Sequence, residues 1–137
     1  MNPDQLSNAL KNELTVYEAL FLDLRKQQEA IMDRQTDIVV EVAQRIETHL
    51  MAAGSARDSR RQIQRQLAAS LSFLEGEEYG NLLPLLPEKS RGEIQRLVDF
   101  INQKLAQVQS YARQNQLLLE KSIELSRKVA RLSEHRL

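Results

Sequence analysis

The feature that most constrains this chain is the length of its segments without Gly or Pro. Positions 4–53 contain neither residue, and neither occurs after Gly92. Pro3 lies where the first turn of a helix tolerates proline. Within these segments, apolar residues recur at steps of three and four, which places them on one face of an α-helix. The sequence therefore predicts an all-α protein.

Three apolar stripes predict three helices, which cover about residues 4–34, 37–74 and 90–135. Between the first two, the stripe lapses, and Thr36 or Asp37 offers an N-cap for a new helix. The second stripe continues past Gly54, because flanking helical residues absorb the roughly 1 kcal/mol that a helical Gly costs. The side chains around Gly54 are also small, which would allow a neighbouring helix to pack closely there.

Residues 75–89 form a Leu/Pro-rich connection with two Gly and two Pro. Its apolar residues are costly to leave in water, so we expect them to cover one end of the bundle, with a partner surface as the alternative. These residues are Tyr79, Leu82, Leu83, Leu85 and Leu86. Ser90 and Glu93 then match a capping box, which predicts that the third helix begins at Ser90.

The length of the third helix indicates the overall shape. The chain has 137 residues, the size of one domain, so residues 1–137 are expected to form a single helical unit. A last helix of some 45 residues spans roughly 65–70 Å, longer than a compact domain. We infer an elongated antiparallel three-helix bundle with coiled-coil-like packing. If the first two helices are shorter, the end of the third projects beyond them.

Composition argues against most catalytic chemistry. The chain has no Cys, which excludes thiol nucleophiles, disulfides and thiolate metal sites. His49 and His135 follow Ile46 and Leu132 by three residues, so neither completes the Glu-x-x-His pair of helical di-iron sites. No phosphate-cradling Gly motif occurs. We therefore expect no enzyme activity, no metal and no cofactor.

Charge gives little support to nucleic acid as a partner. The 19 Lys and Arg residues balance 19 Asp and Glu residues, so no global positive charge is available. A local cluster comprises Arg57, Arg60, Arg61 and Arg65. A solvated face that makes interhelical ion pairs is the better explanation of it. Arg60 lies on the apolar stripe itself, where it meets a carboxylate of another helix or extends its head to solvent.

The N-terminal segment and the apolar runs bear on localisation. The first residues lack the basic opening and the apolar core of a signal peptide. The apolar runs fall far short of the roughly 20 residues that a membrane helix needs. We expect a cytoplasmic protein that is not integral to a membrane.

An apolar band in the third helix is the strongest functional signal. Asn115 and Ser122 interrupt the apolar seam, while five apolar residues between positions 117 and 125 crowd around it. One partner helix cannot cover a band this wide. Either the bundle buries both sides of it, or an outside amphipathic helix docks there. Asn115 is equally well explained as a polar residue that sets register inside a coiled coil.

The stretch from Ala112 to Leu125 resembles the signature of the FlgN family of flagellar type III export chaperones. The matching positions are Asn115, Leu118, Leu119, Ser122 and Ile123. Ala112 departs from the pattern, since the family often has another Asn there. In outline the resemblance extends over the whole chain, from the long first helix to the long last one.

This resemblance implies a non-enzymatic cytoplasmic chaperone that binds hook–filament junction proteins before secretion and shields their helical termini. The flagellar export apparatus, including its ATPase complex, would receive the cargo. In that family the C-terminal helix takes the substrate, which implies partner-binding roles for Asn115, Leu118, Leu119, Ser122, Ile123, Leu125 and Val129. The alternative is a structural coiled-coil or adaptor protein without chaperone activity. A homodimer is possible, and the sequence does not decide between a monomer and a dimer.

Overall fold

The computed structural model describes residues 3–71 and 82–132. Its elements are helix α1 (Pro3–Met32), helix α2 (Thr36–Ser70), a short 3-10 helix (Leu83–Leu85) and helix α3 (Glu88–Leu132). No strand occurs within the described stretches, so the predicted all-α fold class is confirmed. The predicted helix ends at positions 74 and 135 lie outside the described residues.

Backbone hydrogen bonds close the reversal between α1 and α2. Arg34 has a left-handed backbone, with φ of 56°. The amides of Arg34 and Gln35 donate back to carbonyls of the last turn of α1 at 3.2 and 2.8 Å, which is the Schellman pattern. The sequence predicted a break here, but the proposed N-cap residues, Thr36 and Asp37, are wrong. Gln35 is the N-cap without a side-chain capping bond, because Thr36 and Asp37 already lie inside α2.

Helix α3 begins at Glu88, ahead of the predicted start at Ser90. The carbonyl of Pro87 accepts hydrogen bonds from the amide of Ser90 at 2.9 Å and from the next amide at 3.0 Å. Pro87 therefore starts the helical hydrogen-bond pattern, and Ser90 already lies inside the first turn. The predicted capping box is wrong for this reason. Glu93 instead forms an ion pair with Lys11 of α1, with a nitrogen–oxygen distance of 3.0 Å.

Helices α1 and α2 run in opposite directions. Near the start of α1, Glu13 pairs with Arg60 of α2. Further along α1, Asp23 pairs with His49, which comes earlier in α2. Helices α1 and α2 therefore form an antiparallel helical hairpin.

Helices α1 and α3 run in the same direction. Lys11 of α1 contacts Glu93 near the start of α3, and Leu24 contacts Asn115 in its second half. α1 packs along both other helices, whereas α2 and α3 have little direct contact with each other. α1 is therefore the central helix, and α2 and α3 flank it.

The connection before α3 contributes to the core. Leu82 is 0% exposed and Leu86 is 4% exposed, and Leu83 packs partly against the same cluster. Leu85 departs from the expectation, because it is 41% exposed, and Tyr79 lies outside the described residues. Other members of the core cluster are Leu6, Leu10, Tyr17, Leu20, Leu67, Ile94, Leu97 and Ile101.

Helix α2 runs without interruption through Gly54. Ala53 and Ala56 beside it are buried. A Cβ atom at Gly54 would meet no atom within 4 Å, so no neighbouring helix approaches closely at this residue. The close packing of small residues expected here therefore involves the two buried alanines and not Gly54 itself.

Helix α3 extends beyond both of its neighbours. Leu24, two turns before the end of α1 at Met32, lies level with Asn115. Every residue from Glu120 to Leu132 is exposed. These 13 residues correspond to about 20 Å of helix. We call residues 88–119 the α3 body and residues 120–132 the α3 end.

Candidate partner-binding site

Asn115 is buried between α3 and α1, with 2% of its surface exposed. Its Nδ2 donates hydrogen bonds to the carbonyl of Leu24 at 2.8 Å and to Oε1 of Gln27 at 3.1 Å. Its Oδ1 accepts one from Nε2 of Gln28 at 3.2 Å. Because the side chain is fully used by α1, a partner cannot contact it in this conformation. Of the two interpretations that the sequence left open, these contacts favour the register-setting one.

Leu118 and Leu119 lie half-buried just before the α3 end. Leu119 and Ile123 face an open groove between α1, α2 and α3, with a volume of about 330 Å³. Helices α1 and α2 contribute one side of the groove, which consists of Leu24, Gln27, Ala43 and Ile46. A substitution at Leu118 or Leu119 would therefore disturb both the bundle and any docking surface.

The other predicted site residues lie on the α3 end. Ile123, Leu125 and Val129 are 52%, 50% and 56% exposed, and Ser122 is also exposed. Leu132, on the same face, is 71% exposed. Exposed large apolar side chains at one helix end are typical of surfaces that meet another protein. The structure thus divides the seven predicted residues into one buried, two half-buried and four exposed.

A helical projection separates the side chains of this region by chemistry. At about 100° per residue, the apolar and small residues occupy an arc of about 180°. This apolar arc consists of Leu118, Leu119, Ser122, Ile123, Leu125, Ser126, Val129, Ala130 and Leu132. All charged residues of the α3 end fall in the opposite sector, namely Glu120, Lys121, Glu124, Arg127, Lys128 and Arg131. Within that sector, Lys128 and Glu124 form an exposed ion pair at 3.3 Å.

A buried ion pair fixes α2 against α1 nearer the start of α1. Arg60 donates from Nε to Oε1 of Glu13 at 2.8 Å, and Glu13 is 1% exposed. Tyr17 donates its hydroxyl to Oε2 of the same carboxylate at 2.7 Å. Burial raises the pKa of Tyr17 to about 12, and the hydrogen bond to Glu13 contributes to this. Of the two alternatives for Arg60, the structure shows the carboxylate of another helix.

A second polar contact joins the same two helices nearer the groove. His49 Nδ1 lies 2.5 Å from Oδ2 of Asp23, and Arg45 Nε lies 3.7 Å from Oδ1. These groups hold α1 to α2. Neither Asp23 nor Glu13 could be paired from sequence, since their partners depend on the helix register. His135 lies outside the described residues.

The described stretches contain no group of three or more His, Cys, Asp or Glu residues that could hold a metal ion. None of their helices combines the length and apolar character that a membrane span requires. Arg57, Arg61 and Arg65 are exposed, so only Arg60 of the Arg cluster forms the expected interhelical ion pair in this part of the chain.

Helices with a projecting end that exposes apolar side chains, as the described residues show, are typical of proteins that bind other proteins through helices. The chain matches the family described as FlgN protein over residues 1–136, and it belongs to that family. The resemblance seen in the sequence is therefore confirmed, and the family role is that of a flagellar export chaperone. No curated protein and no solved structure matches the chain.

Proposed function

We propose that the protein is a cytoplasmic chaperone that binds hook–filament junction proteins before type III secretion. It shields their helical termini and delivers them to the export apparatus, including the ATPase complex. Its scaffold is the elongated antiparallel three-helix bundle with coiled-coil-like packing that the sequence predicts. The observation that carries this proposal is the exposed apolar arc in a member of a flagellar chaperone family.

The energetics of the apolar arc support a docking role. Ile123, Leu125, Val129 and Leu132 are each at least half exposed in the chain alone. Fully burying such a side chain contributes roughly 1.5–3 kcal/mol, so covering several of them offsets the cost of association. An amphipathic helix of the cargo gains the same cover for its own apolar face. The exposed part of the arc, with half-buried Leu118 and Leu119, forms the proposed contact surface, and Asn115 holds α3 in register beneath it.

The test uses a substitution pair that leaves the bundle intact. Leu125→Asp with Val129→Asp changes only exposed side chains, unlike changes at half-buried Leu118 and Leu119. We expect the double variant to bind junction proteins of the same bacterium at least about 100-fold more weakly, because two apolar anchors are lost. Calorimetric titration measures the affinity, and circular dichroism checks that helix content is retained.

Leu117→Asp is the matched control. Leu117 is 59% exposed on the same helix, but it lies in the charged sector outside the apolar arc. We expect this variant to bind like the unmodified protein. Unchanged binding by the double variant would refute the proposed site.

A second measurement separates a chaperone from an adaptor. A chaperone protects the terminal segments of the bound junction protein from proteolysis and keeps that protein from aggregating. A complex that forms with the expected affinity but gives neither protection would instead indicate an adaptor without chaperone activity.

A further inference from the structure

The large apolar side chains of the α3 end form a narrow stripe within the apolar arc. At about 100° per residue, Leu118, Leu125, Val129 and Leu132 lie within about 60° of one another around the helix axis. Ile123 lies at least about 120° from each of them. A helix that packs against one side of a core has an apolar stripe upwards of about 100° wide, whereas a narrower stripe is the seam of a coiled coil. The α3 end therefore offers a surface for one further helix.

This stripe is the last part of a heptad repeat that runs through most of α3. Seven-residue steps give one row of positions from Ile94 to Val129 and a second row from Leu97 to Leu132, which are the a and d positions. We call these two rows the α3 seam. Its a positions hold Ile, Val, Asn or Ser, and most of its d positions hold Leu. β-Branched residues at a, Leu at d and a single Asn at a are typical of parallel two-stranded coiled coils.

Over the α3 body, α1 is the second strand of this seam. Ile94 belongs to the core cluster together with residues of α1. Lys104 and Tyr111 both contact the ring of Phe21, the first with its Nζ 4.3 Å from the ring centroid and the second edge-on with the centroids 5.3 Å apart. Asn115 donates hydrogen bonds to α1. Because α1 and α3 run in the same direction, the interface that these contacts form is a parallel pair.

The seam continues where α1 ends. Met32 lies two turns past Leu24, which is level with Asn115, so α1 ends about two turns past Asn115 along α3. Beyond that level, the seam residues Leu125 and Val129 are 50% and 56% exposed. We propose that one helix of a partner protein takes the place of α1 beyond Met32 and runs parallel to α3 on the seam. This inference rests on the proposed role of the α3 end, and it narrows the contact surface to the seam.

The polarity of the helices supports this direction. The C-terminal end of a helix carries a partial negative charge, and the N-terminal end carries a partial positive charge. A parallel partner helix brings its N-terminal end to the C-terminal end of α1, which joins opposite partial charges. An antiparallel partner helix would bring two C-terminal ends together at the same place.

The position of α1 also argues against a second copy of this chain as the occupant. A copy that paired in parallel along the seam of the α3 end would extend its own α3 body back along the same line. That line is already occupied, because α1 contacts the seam along the α3 body as far as Asn115. The occupant is therefore a helix that begins past Met32, and its chain turns away from the seam before that point.

The test titrates the full chain with a designed peptide of three heptads, about 21 residues long. This seam peptide carries Ile at a and Leu at d, and Glu at its flanking positions keeps it from pairing with itself. The comparison peptide has the same composition, but its apolar residues are moved off the a and d positions. We expect one seam peptide per chain in calorimetric titration, bound at least about 10-fold more tightly than the comparison peptide. No binding, or two peptides per chain, would overturn the proposal.

Variants of the α3 end then locate the contact. Leu125→Asp and Val129→Asp place a charge on the seam, and each should weaken binding of the seam peptide by about 10-fold or more. Ile123→Asp and Leu117→Asp place the same charge on exposed positions of the same helix outside the seam, so they should leave the affinity unchanged. An equal loss from Ile123→Asp would show that the occupant lies in the groove, and unchanged binding by Leu125→Asp would exclude the seam. Either result would overturn the proposal.

Spin labels determine the direction of the bound peptide. The chain has no Cys, so Asp33→Cys provides a single attachment site in the exposed turn after α1. Seam peptides carry the second nitroxide at one end or the other. In the parallel arrangement, the distance from position 33 to the N-terminal label should be at least about 15 Å shorter than the distance to the C-terminal label, since the peptide helix spans about 30 Å. The reverse order would overturn the proposal.

Junction proteins separate this inference from the proposed function. If they fail to bind while the seam peptide binds with the expected variant pattern, the chaperone role is refuted and the seam is retained. If they bind, and Ile123→Asp weakens them as much as Leu125→Asp does, the chaperone role is retained and the single-helix seam is overturned. Sedimentation of the free chain tests the second copy. A dimer that Leu125→Asp dissociates would show that a second copy is the occupant, which also overturns the proposal.

Discussion

The α3 body and the α3 end have the same apolar spacing and opposite surroundings. Ile94 in the body is 0% exposed, whereas Ile123 near the end is 52% exposed. The two isoleucines belong to one continuous helix, so local sequence does not cause the difference. It arises because Ile94 lies inside the core cluster, whereas Ile123 faces only an open groove near the level at which α1 ends. Periodicity identifies the apolar face of a helix, and the lengths of its neighbours decide whether that face is buried.

The largest expected effect is a loss of stability, and it should differ between the same substitution at these two isoleucines. Ile94→Ala should lower the free energy of unfolding by about 2–5 kcal/mol, because it removes buried methyl groups and leaves a cavity. Ile123→Ala should change it by less than about 1 kcal/mol, since half of that side chain already contacts water. Urea denaturation of both variants measures the difference. Similar losses in both would mean that the α3 end is packed in solution and would break the comparison.

The next effect depends on pH and reports on the bundle around Tyr17. The pKa of Tyr17 is raised from 10.0 to about 12 in the folded protein. Between these values the unfolded chain loses a proton that the folded chain retains, so stability falls as pH rises, by up to about 2 kcal/mol. Tyr17→Phe should remove this part of the pH dependence. A tyrosine absorbance titration in which Tyr17 ionises near pH 10 would contradict the prediction.

The third prediction compares the stability of two variants, each with one polar residue of the α3 seam replaced by Ala. Asn115→Ala should destabilise the protein by about 1–2 kcal/mol, because Gln27 and Gln28 lose a buried hydrogen-bond partner. Ser122→Ala, one step further along the seam and exposed, should have little effect or raise stability slightly through helix propensity. Thermal unfolding followed by circular dichroism distinguishes the two. An equally neutral Asn115→Ala would show that its hydrogen bonds add no stability.

The smallest expected change stabilises the bundle without touching the α3 end. Gly54→Ala should raise the free energy of unfolding by about 1 kcal/mol, since Ala is the better helix former and the new methyl group meets no atom. Hydrogen exchange should slow for buried amides of the core and stay unchanged for residues 120–132. Slower exchange at both places would show that the two regions open together.

Much of the fold was predictable because helix periodicity is a local property. The three helices, the break after Met32 and the all-α class follow from the spacing of apolar residues and from where Gly and Pro occur. The cap residues were not predictable in the same way. Arg34 adopts the left-handed conformation that Gly normally supplies, and Pro87 starts α3 where Ser90 offered a better cap. These choices depend on how the helices pack, which overrides local preference.

The sequence predicted which segment carries the candidate site, but not which side chains of that segment are exposed. The wide apolar band and the family resemblance both pointed to residues after Asn115. Separating the buried Asn115 from the exposed Leu125 requires knowing where α1 ends relative to α3. The groove side chains of α1 and α2, such as Leu24 and Ala43, carry no sequence signal, because they look like ordinary stripe residues.

The central position of α1 has a consequence for the order of folding. Its ion pairs with α2 join residues that are 26 and 47 positions apart, whereas its hydrogen bonds to Asn115 and Gln114 span 86 to 91 positions. Closing a longer loop costs more chain entropy, and chains emerge from the ribosome N-terminus first. We expect the α1–α2 hairpin to form before α3 docks, which pulse-labelled hydrogen exchange during refolding can follow. The proposed contact surface on α3 then forms after the α1–α2 hairpin, so the hairpin alone lacks it.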